Sequence, residues 1–282
     1  EMCIRDSYCT IPFARGRSRS RPPEDVLREI KRYADEGAQE VVITGIHLDS
    51  YGKDIENTSL IDLLERIDKI NGIRRVRLGS LEPASISEDF VIRASALKKL
   101  CPHFHMSLQS GCDSVLKRMK RRYTTGEFAN AVALLKQHFK EVTLTTDIIV
   151  GFPGETEEEF QKGLAFVSSI GFMKVHVFKF SPRRGTLAFG MKGQIPGDTK
   201  KSRSDIMIAE AKKSRYDVLE PLVGSIPEVL VEKEYDIAEN LWEGHTKGYL
   251  KVVFECEDCS PNDKVDVKIT KIKDEFAIGC LK

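Results

Sequence analysis

The chain has no run of about eighteen apolar residues, so no segment reads as a membrane-spanning helix. No basic–apolar–small leader pattern stands at its start. Its seven cysteines (Cys3, Cys9, Cys101, Cys112, Cys256, Cys259 and Cys280) are odd in number and irregularly spaced. A chain of 282 residues needs no covalent staples, so the expectation is reduced thiols in a cytoplasmic protein, not a disulfide framework. Cys256-Glu-Asp-Cys259 has zinc-knuckle spacing but no second Cys or His pair to complete four ligands, so no metal is expected there. His103 and His105 fall on one face of a strand, with no third ligand evident, and read as structural.

Net charge is nearly absent as well: 44 basic against 43 acidic residues leave +1. That balance hides an asymmetry. From Leu222 onward there are 8 lysines, no arginine and 13 acids, or −5, which leaves +6 for the rest. Basic clusters stand at Arg15, Arg17, Arg19, Arg21 and at Lys117, Arg118, Lys120, Arg121, Arg122. Each is equally readable as a polyanion contact or as a solvated face.

What is present is an alternation of helix and strand patterns from Pro23. PPEDVLREIKRYADEG opens on proline and acids and stops at Gly37, as a helix should. Four further stretches, SLIDLLERIDKI, SISEDFVIRASALKKL, Asp113–Phe139 and TEEEFQKGLAFVSSI, also read as helices, the third broken near Thr124–Gly126. Between them lie QEVVITG, GIRRVRLGS, FHMSLQ, VTLTTDIIVGF and MKVHVFKF, five short apolar or β-branched runs. Such βα repetition predicts a parallel sheet with helices outside. Its site belongs in the polar loops at the strands' C-terminal ends. A Gly/Pro-rich link over residues 185–197 leads to a polar helix running to about Leu219. Beyond Pro221, about sixty residues of short period-two strands predict a small antiparallel barrel of an oligonucleotide-binding kind.

HMSLQSGCDSVLKRMKRRYT, TDIIVGFPGETEEEFQ and HVFKFSPRRGT, in that order, resemble the radical S-adenosylmethionine (SAM) methylthiotransferases. The last segment resembles their RNA-binding TRAM domain. ITGIHLDSYG and RLGSLEP are most similar to the tRNA threonylcarbamoyladenosine subfamily. The resemblance implies a partial (β/α)6 TIM-like barrel lacking its first strand, followed by an OB-like barrel. It divides the chain into a non-family leader at 1–7, a radical SAM core at 8–184, a linker and long helix at 185–221, and TRAM at 222–282. It also implies a [4Fe-4S] cluster held by Cys-x-x-x-Cys-x-x-Cys, because thiolates are the soft, charged donors that iron–sulfur clusters need. YCTIPFARGR matches the end of that motif, so Cys9 corresponds to the third ligand. Met2 and Asp6 stand where the first two should be, and Cys3 is out of register. EMCIRDS is therefore expected to be an assembly artefact, and the literal chain to hold no stable cluster and to be inactive. Without the first strand, QEVVITG is expected to be an open, apolar, aggregation-prone edge.

The same resemblance assigns Gly45, Ser80, Glu82, Gln109, Ser110, Ile149 and Gly151 to the SAM pocket, with Gly151 leaving bare backbone for adenine. Glu82 and Asp147 are strand-end carboxylates that need a partner, either a ligand or an arginine. Arg183 and Arg184 are candidates for a tRNA anticodon stem-loop, and Lys247, Tyr249 and Lys251 for a local RNA patch on the otherwise acidic barrel. An auxiliary [4Fe-4S] cluster belongs to an N-terminal domain of the family. The implied reaction is methylthiolation of C2 of N6-threonylcarbamoyladenosine by a SAM-derived radical, which is needed because no side chain removes that hydrogen as a proton. The alternatives are an RNA-binding remnant without catalysis, or methylthiolation of isopentenyladenosine or of a ribosomal protein.

Overall fold

The computed structural model describes residues 6–282. Met2 and Cys3 lie outside them. A short helix α1 (Ile11–Arg15) precedes α2 (Pro23–Asp35), and the alternation then runs β1 (Glu40–Ile43), α3 (Leu60–Ile67), β2 (Arg75–Leu78), β3 (Ser80–Leu81), α4 (Glu88–Ser95), β4 (His103–Met106), α5 (Asp113–Met119), α6 (Thr125–His138), β5 (Thr143–Val150), α7 (Glu157–Ile170) and β6 (Lys174–Lys179). The helix starts follow local chemistry. Ser59 and Ser87 accept hydrogen bonds from backbone N–H groups three residues on, and Thr124 and Thr156 form full capping boxes with Glu127 and Glu159.

All strand pairing in this part is parallel. It forms two ladders, β1-β2 and β3-β4-β5-β6, where the sequence predicted one run of five strands. The break falls at Gly79, which splits GIRRVRLGS into β2 and β3. One face of the strands carries Val76, Leu78, Phe104, Met106, Leu144, Ile148 and Val150 into a core shared with the helices. Period two puts Arg75, Arg77, His103, His105, Thr145, Asp147 and Ile149 on the opposite, inner face. β1 pairs only with β2 among the described strands, and Val42 on it is exposed. The predicted open edge is therefore present. A cavity of about 810 Å³ separates it from α2 and the Arg15–Arg21 segment.

The polar helix α8 (Gly197–Leu219) joins this half-barrel to β7 (Glu228–Asp236), β8 (Leu241–Thr246), β9 (Lys251–Glu255), β10 (Lys264–Ile272) and β11 (Ala277–Leu281). These close into a five-stranded barrel in the order β10-β11-β9-β8-β7. The expectation of purely antiparallel strands needs correction, because β9 and β11 pair in parallel, as closing a five-stranded barrel with an odd strand requires. The cysteine reading is corrected too: Cys256 and Cys259 form a disulfide after β9, while Cys9, Cys101, Cys112 and Cys280 are free. The Cα atoms of the pair lie 5.7 Å apart, so the spacing that suggested a knuckle instead closes on itself.

Candidate functional site

The loops at the C-terminal strand ends form a rim, and the turn at residues 6–9 lies on it. Ser7 donates to the carbonyls of Met119 and Arg118 and accepts from the Ala188 N–H. Tyr8 sets its ring edge-on to Phe152, 6.0 Å away, beside Cys112, Met119 and Phe180. Cys9, half-buried and free, follows Tyr8 in this turn. Asp6 and Ser7, assigned above to a foreign leader, are tied into this packing.

Most of the predicted pocket residues reach the same rim. Ser80 and Ser107 share a hydrogen bond of 2.6 Å. Gln109 adopts a left-handed backbone (φ 65°) and clasps β5 from both sides, its N–H on the Asp147 carbonyl and its carbonyl on the Ile149 N–H. A non-glycine residue held in that region is strained, and such strain gathers at functional loops. Ser110 is buried and accepts from the Cys112 N–H. Gly111 meets α7 so closely that a Cβ there would lie 2.6 Å from the Gly163 carbonyl. Gly45 follows β1 and borders the cavity.

Gly151 departs from its predicted use. Its backbone is left-handed (φ 70°), but the face where a Cβ would stand is covered by the Lys200 chain at 2.4 Å. Lys200 Nζ continues to the Phe180 carbonyl. The Gly151 N–H donates to Glu155, which Arg203 of α8 holds at 2.8 Å. The turn is thus bare of side chain in order to admit α8.

The rim's electrostatic centre is Arg121, which charge counting placed in a generic basic cluster. It is buried, and its Nη1 reaches Asp6 at 2.9 Å and Glu82 at 3.2 Å, while its Nε donates to the Tyr123 hydroxyl. Glu82 also meets His47 at 3.4 Å, and its N–H donates to Asp49. Glu82 accordingly has arginine and histidine partners. Burial raises the Asp6 carboxyl above its ordinary range, although Arg121 pulls the other way. Hydrogen bonding to Glu82 raises His47, against the effect of burial. His47, Asp49, Arg121 and Tyr123 were not singled out from the sequence; only contact across four loops reveals them.

The opposite, N-terminal ends of the strands are covered by the small barrel. Arg75, fully buried, donates to the His245 and Glu228 carbonyls and to the Glu228 carboxylate, all within 3.0 Å. Arg77 bonds Glu40 and the carbonyls of Lys247 and Thr246. Thr143 donates to the Gly248 carbonyl. Tyr249 stacks on His245, tilts over His103, and lies under the Arg77 guanidinium at 4.5 Å. Burial, with Arg77 adding to it, drives His103 down to about 3, so the ring is neutral.

Lys247 and Tyr249, singled out for RNA, are thus part of the contact between the two barrels, and Lys251 pairs with Glu243. Arg183 and Arg184 are exposed beyond β6, and Arg15, Arg17, Arg19 and Arg21 are exposed beside the cavity.

A half-barrel of parallel strands, a polar C-terminal rim and a turn bearing Cys9 define the class. Residues 7–167 match the radical SAM superfamily model, and the chain belongs to that superfamily. Residues 221–282 match the TRAM domain. The chain is 38% identical over 274 residues to the threonylcarbamoyladenosine tRNA methylthiotransferase MtaB of Chlamydia pneumoniae, covering 97% of this chain and 64% of the relative. It is 35% identical over 268 residues to the tRNA-2-methylthio-N(6)-dimethylallyladenosine synthase of Acetivibrio thermocellus, covering 95% and 56%. It therefore spans less than two thirds of these relatives. The solved radical SAM methyltransferase TsrM from Kitasatospora setae shares the fold, with TM-score 0.55 at 18% identity, covering 66% of this chain and 36% of that one.

The superfamily implies a [4Fe-4S] cluster and SAM. Among the described residues the rim turn offers one thiol, Cys9, and position 6 offers a carboxylate already held by Arg121. These donors do not fit three-thiolate ligation. No described helix is long and apolar enough to cross a membrane.

Proposed function

We propose that the chain is the radical SAM and TRAM portion of an enzyme that methylthiolates C2 of N6-threonylcarbamoyladenosine at position 37 of tRNA, next to the anticodon. One observation carries the reading: a radical SAM half-barrel with its rim open is fastened by buried arginines to a TRAM barrel in the same chain. The relatives' names give the tRNA substrate class, and the GIHLDSYG and LGSLEP loops favour the threonylcarbamoyl substituent over the dimethylallyl one. In the family, SAM bound to the cluster supplies a hydrogen-abstracting radical. The residues of this chain orient and enclose: Ser80, Gln109, Ser110 and Ile149 line the rim, and Arg183 and Arg184 lie exposed beyond β6 for the anticodon stem-loop. In the complete enzyme an auxiliary cluster from a preceding domain belongs to the same reading.

A second reading holds for the chain as written. The Asp6–Arg121 pair in a ligand position favours an RNA-binding chain without catalysis. Anaerobic iron–sulfur reconstitution separates the two. The 282-residue chain is expected to hold fewer than four irons and release no 5′-deoxyadenosine from SAM, and the double substitution Met2→Cys, Asp6→Cys to gain iron. Four irons and SAM cleavage in the unaltered chain would refute inactivity. Binding of stem-loops bearing threonylcarbamoyladenosine, isopentenyladenosine or plain adenosine tests the substrate reading, and equal affinity for all three would defeat it.

A further inference from the structure

Three titratable side chains on the inner face of the half-barrel converge at mid-depth, between the rim and the end covered by TRAM. His105 comes from β4, Asp147 from β5 and His176 from β6. Strand register puts Asp147 directly beside His176, and Thr145 beside His105, so the three occupy adjacent inward positions on three strands. One nitrogen or carboxylate oxygen from each lies within 4.8 Å of the others. His105 Nε2 is 3.4 Å from Asp147 Oδ2. The ring nitrogens of His176 have no hydrogen-bond partner among the described residues. We propose that His105, Asp147 and His176 form a binding site for one first-row divalent cation of borderline softness, such as Zn(II) or Fe(II). This goes beyond the proposed function and does not depend on it.

Two imidazoles and one carboxylate are the donor set that suits such ions while leaving coordination positions open. The Thr145 hydroxyl supplies outer support, bonding His105 Nδ1 at 2.9 Å and His103 Nε2 at 3.1 Å. Fixing Nδ1 in this way orients the ring and leaves Nε2 for the ion, the usual arrangement behind a ligating histidine. A bond of about 2.1 Å to each ligand demands donors no more than about 4.2 Å apart. The His105 and Asp147 donors, 3.4 Å apart, meet that limit, and no hydrogen bond among the described residues holds the His176 ring against turning toward them. Ligation needs a ring-nitrogen lone pair, so protons compete with the ion for the two imidazoles and binding weakens as pH falls. Asp147 was expected to meet a ligand or an arginine; its carboxylate pairs with His105, and a His176 ring nitrogen lies within 4.8 Å. The expectation that His105 lacks companions is likewise corrected, since they stand on two other strands.

The test is competition of the purified chain with a chromophoric zinc chelator at pH 7.5 and pH 6.0. One equivalent of Zn(II) is expected to be lost at least tenfold more readily in Asp147→Asn and in His176→Gln, and more readily in the parent at pH 6.0. Thermal unfolding followed by circular dichroism confirms that each variant is folded, and His105→Gln serves if either is not. No bound equivalent in the parent, or an equivalent whose affinity none of the folded variants changes, overturns the proposal. In the second case another group, the thiols or His47 with Asp49 and Glu82, holds the ion.

Discussion

The two ends of the parallel sheet solve one problem in different ways. At each end an arginine is buried against backbone or carboxylate oxygens, yet at the TRAM end its partners are mostly carbonyls and at the rim they are mostly side-chain acids. Arg75 satisfies two carbonyls and Glu228, and Glu228 keeps Lys264 as a second cation. Arg121 is the shared cation of Asp6 and Glu82. Carbonyls carry no charge to release, so the TRAM end is a fixed joint. The rim stores its stability in charges whose balance a ligand, a proton or one substitution shifts, as sites that change state commonly do.

The sharpest break of this comparison is Arg121→Met. It leaves two partly buried carboxylates without their main cation, and removing one partner of a buried pair costs about 3–5 kcal/mol. The loss should grow with pH. The folded Asp6 carboxyl already titrates above the unfolded one. The native state thus holds its proton more tightly, and the contribution of Asp6 to stability falls as pH rises from the ordinary carboxylate range through the raised value. Removing Arg121 widens that window. Urea midpoints for parent and variant between pH 4 and 8 measure it, and a pH-independent difference would mean that Asp6 is not coupled to Arg121.

Arg75→Met is expected to cost somewhat less, about 3 kcal/mol, mostly from orphaned carbonyls. Its signature differs. The half-barrel and TRAM should unfold in two steps where the parent unfolds in one, which calorimetry resolves. Its pH dependence lies in the acid limb: burial would raise Glu228, but Lys264 and Arg75 outweigh it and bring it down to about 2. That stabilisation is present above the unfolded value near 4.5 and fades as pH falls toward 2, and the variant should lose part of it. A single transition with an unchanged acid limb would show that the joint does not couple the barrels.

The smallest effect belongs to Tyr249→Leu, which removes two ring contacts and the Arg77 cation–π contact while keeping apolar bulk. About 1 kcal/mol is expected, because Tyr249 is partly exposed. If the same substitution weakens stem-loop binding tenfold without moving the melting temperature, Tyr249 serves RNA as the sequence suggested.

The helices were readable from apolar periodicity, and their starts obey local chemistry, since Ser59, Ser87, Thr124 and Thr156 act on donors three residues away. The strands were readable from β-branched runs. What escaped notice were residues whose role depends on partners far along the chain. Arg121 looked like one charge among five, and Arg75 and Arg77 passed without comment inside a strand. Burial of their side chains, which charge counts do not contain, distinguishes them. Gly151 was read as bare backbone left for adenine, whereas the neighbour that takes the space is Lys200, about fifty residues away.

The sequence by itself determined the order of strands and helices, the two barrels and the superfamily, because capping, period-two alternation and short motifs act within a few residues. Only the tertiary structure decided that TRAM closes the N-terminal end of the sheet, that Asp6 and Glu82 share Arg121, and that His105 gains Asp147 and His176. Those outcomes depend on desolvation and on distances of a few ångströms between segments up to 170 residues apart, and local chemistry carries no information about either.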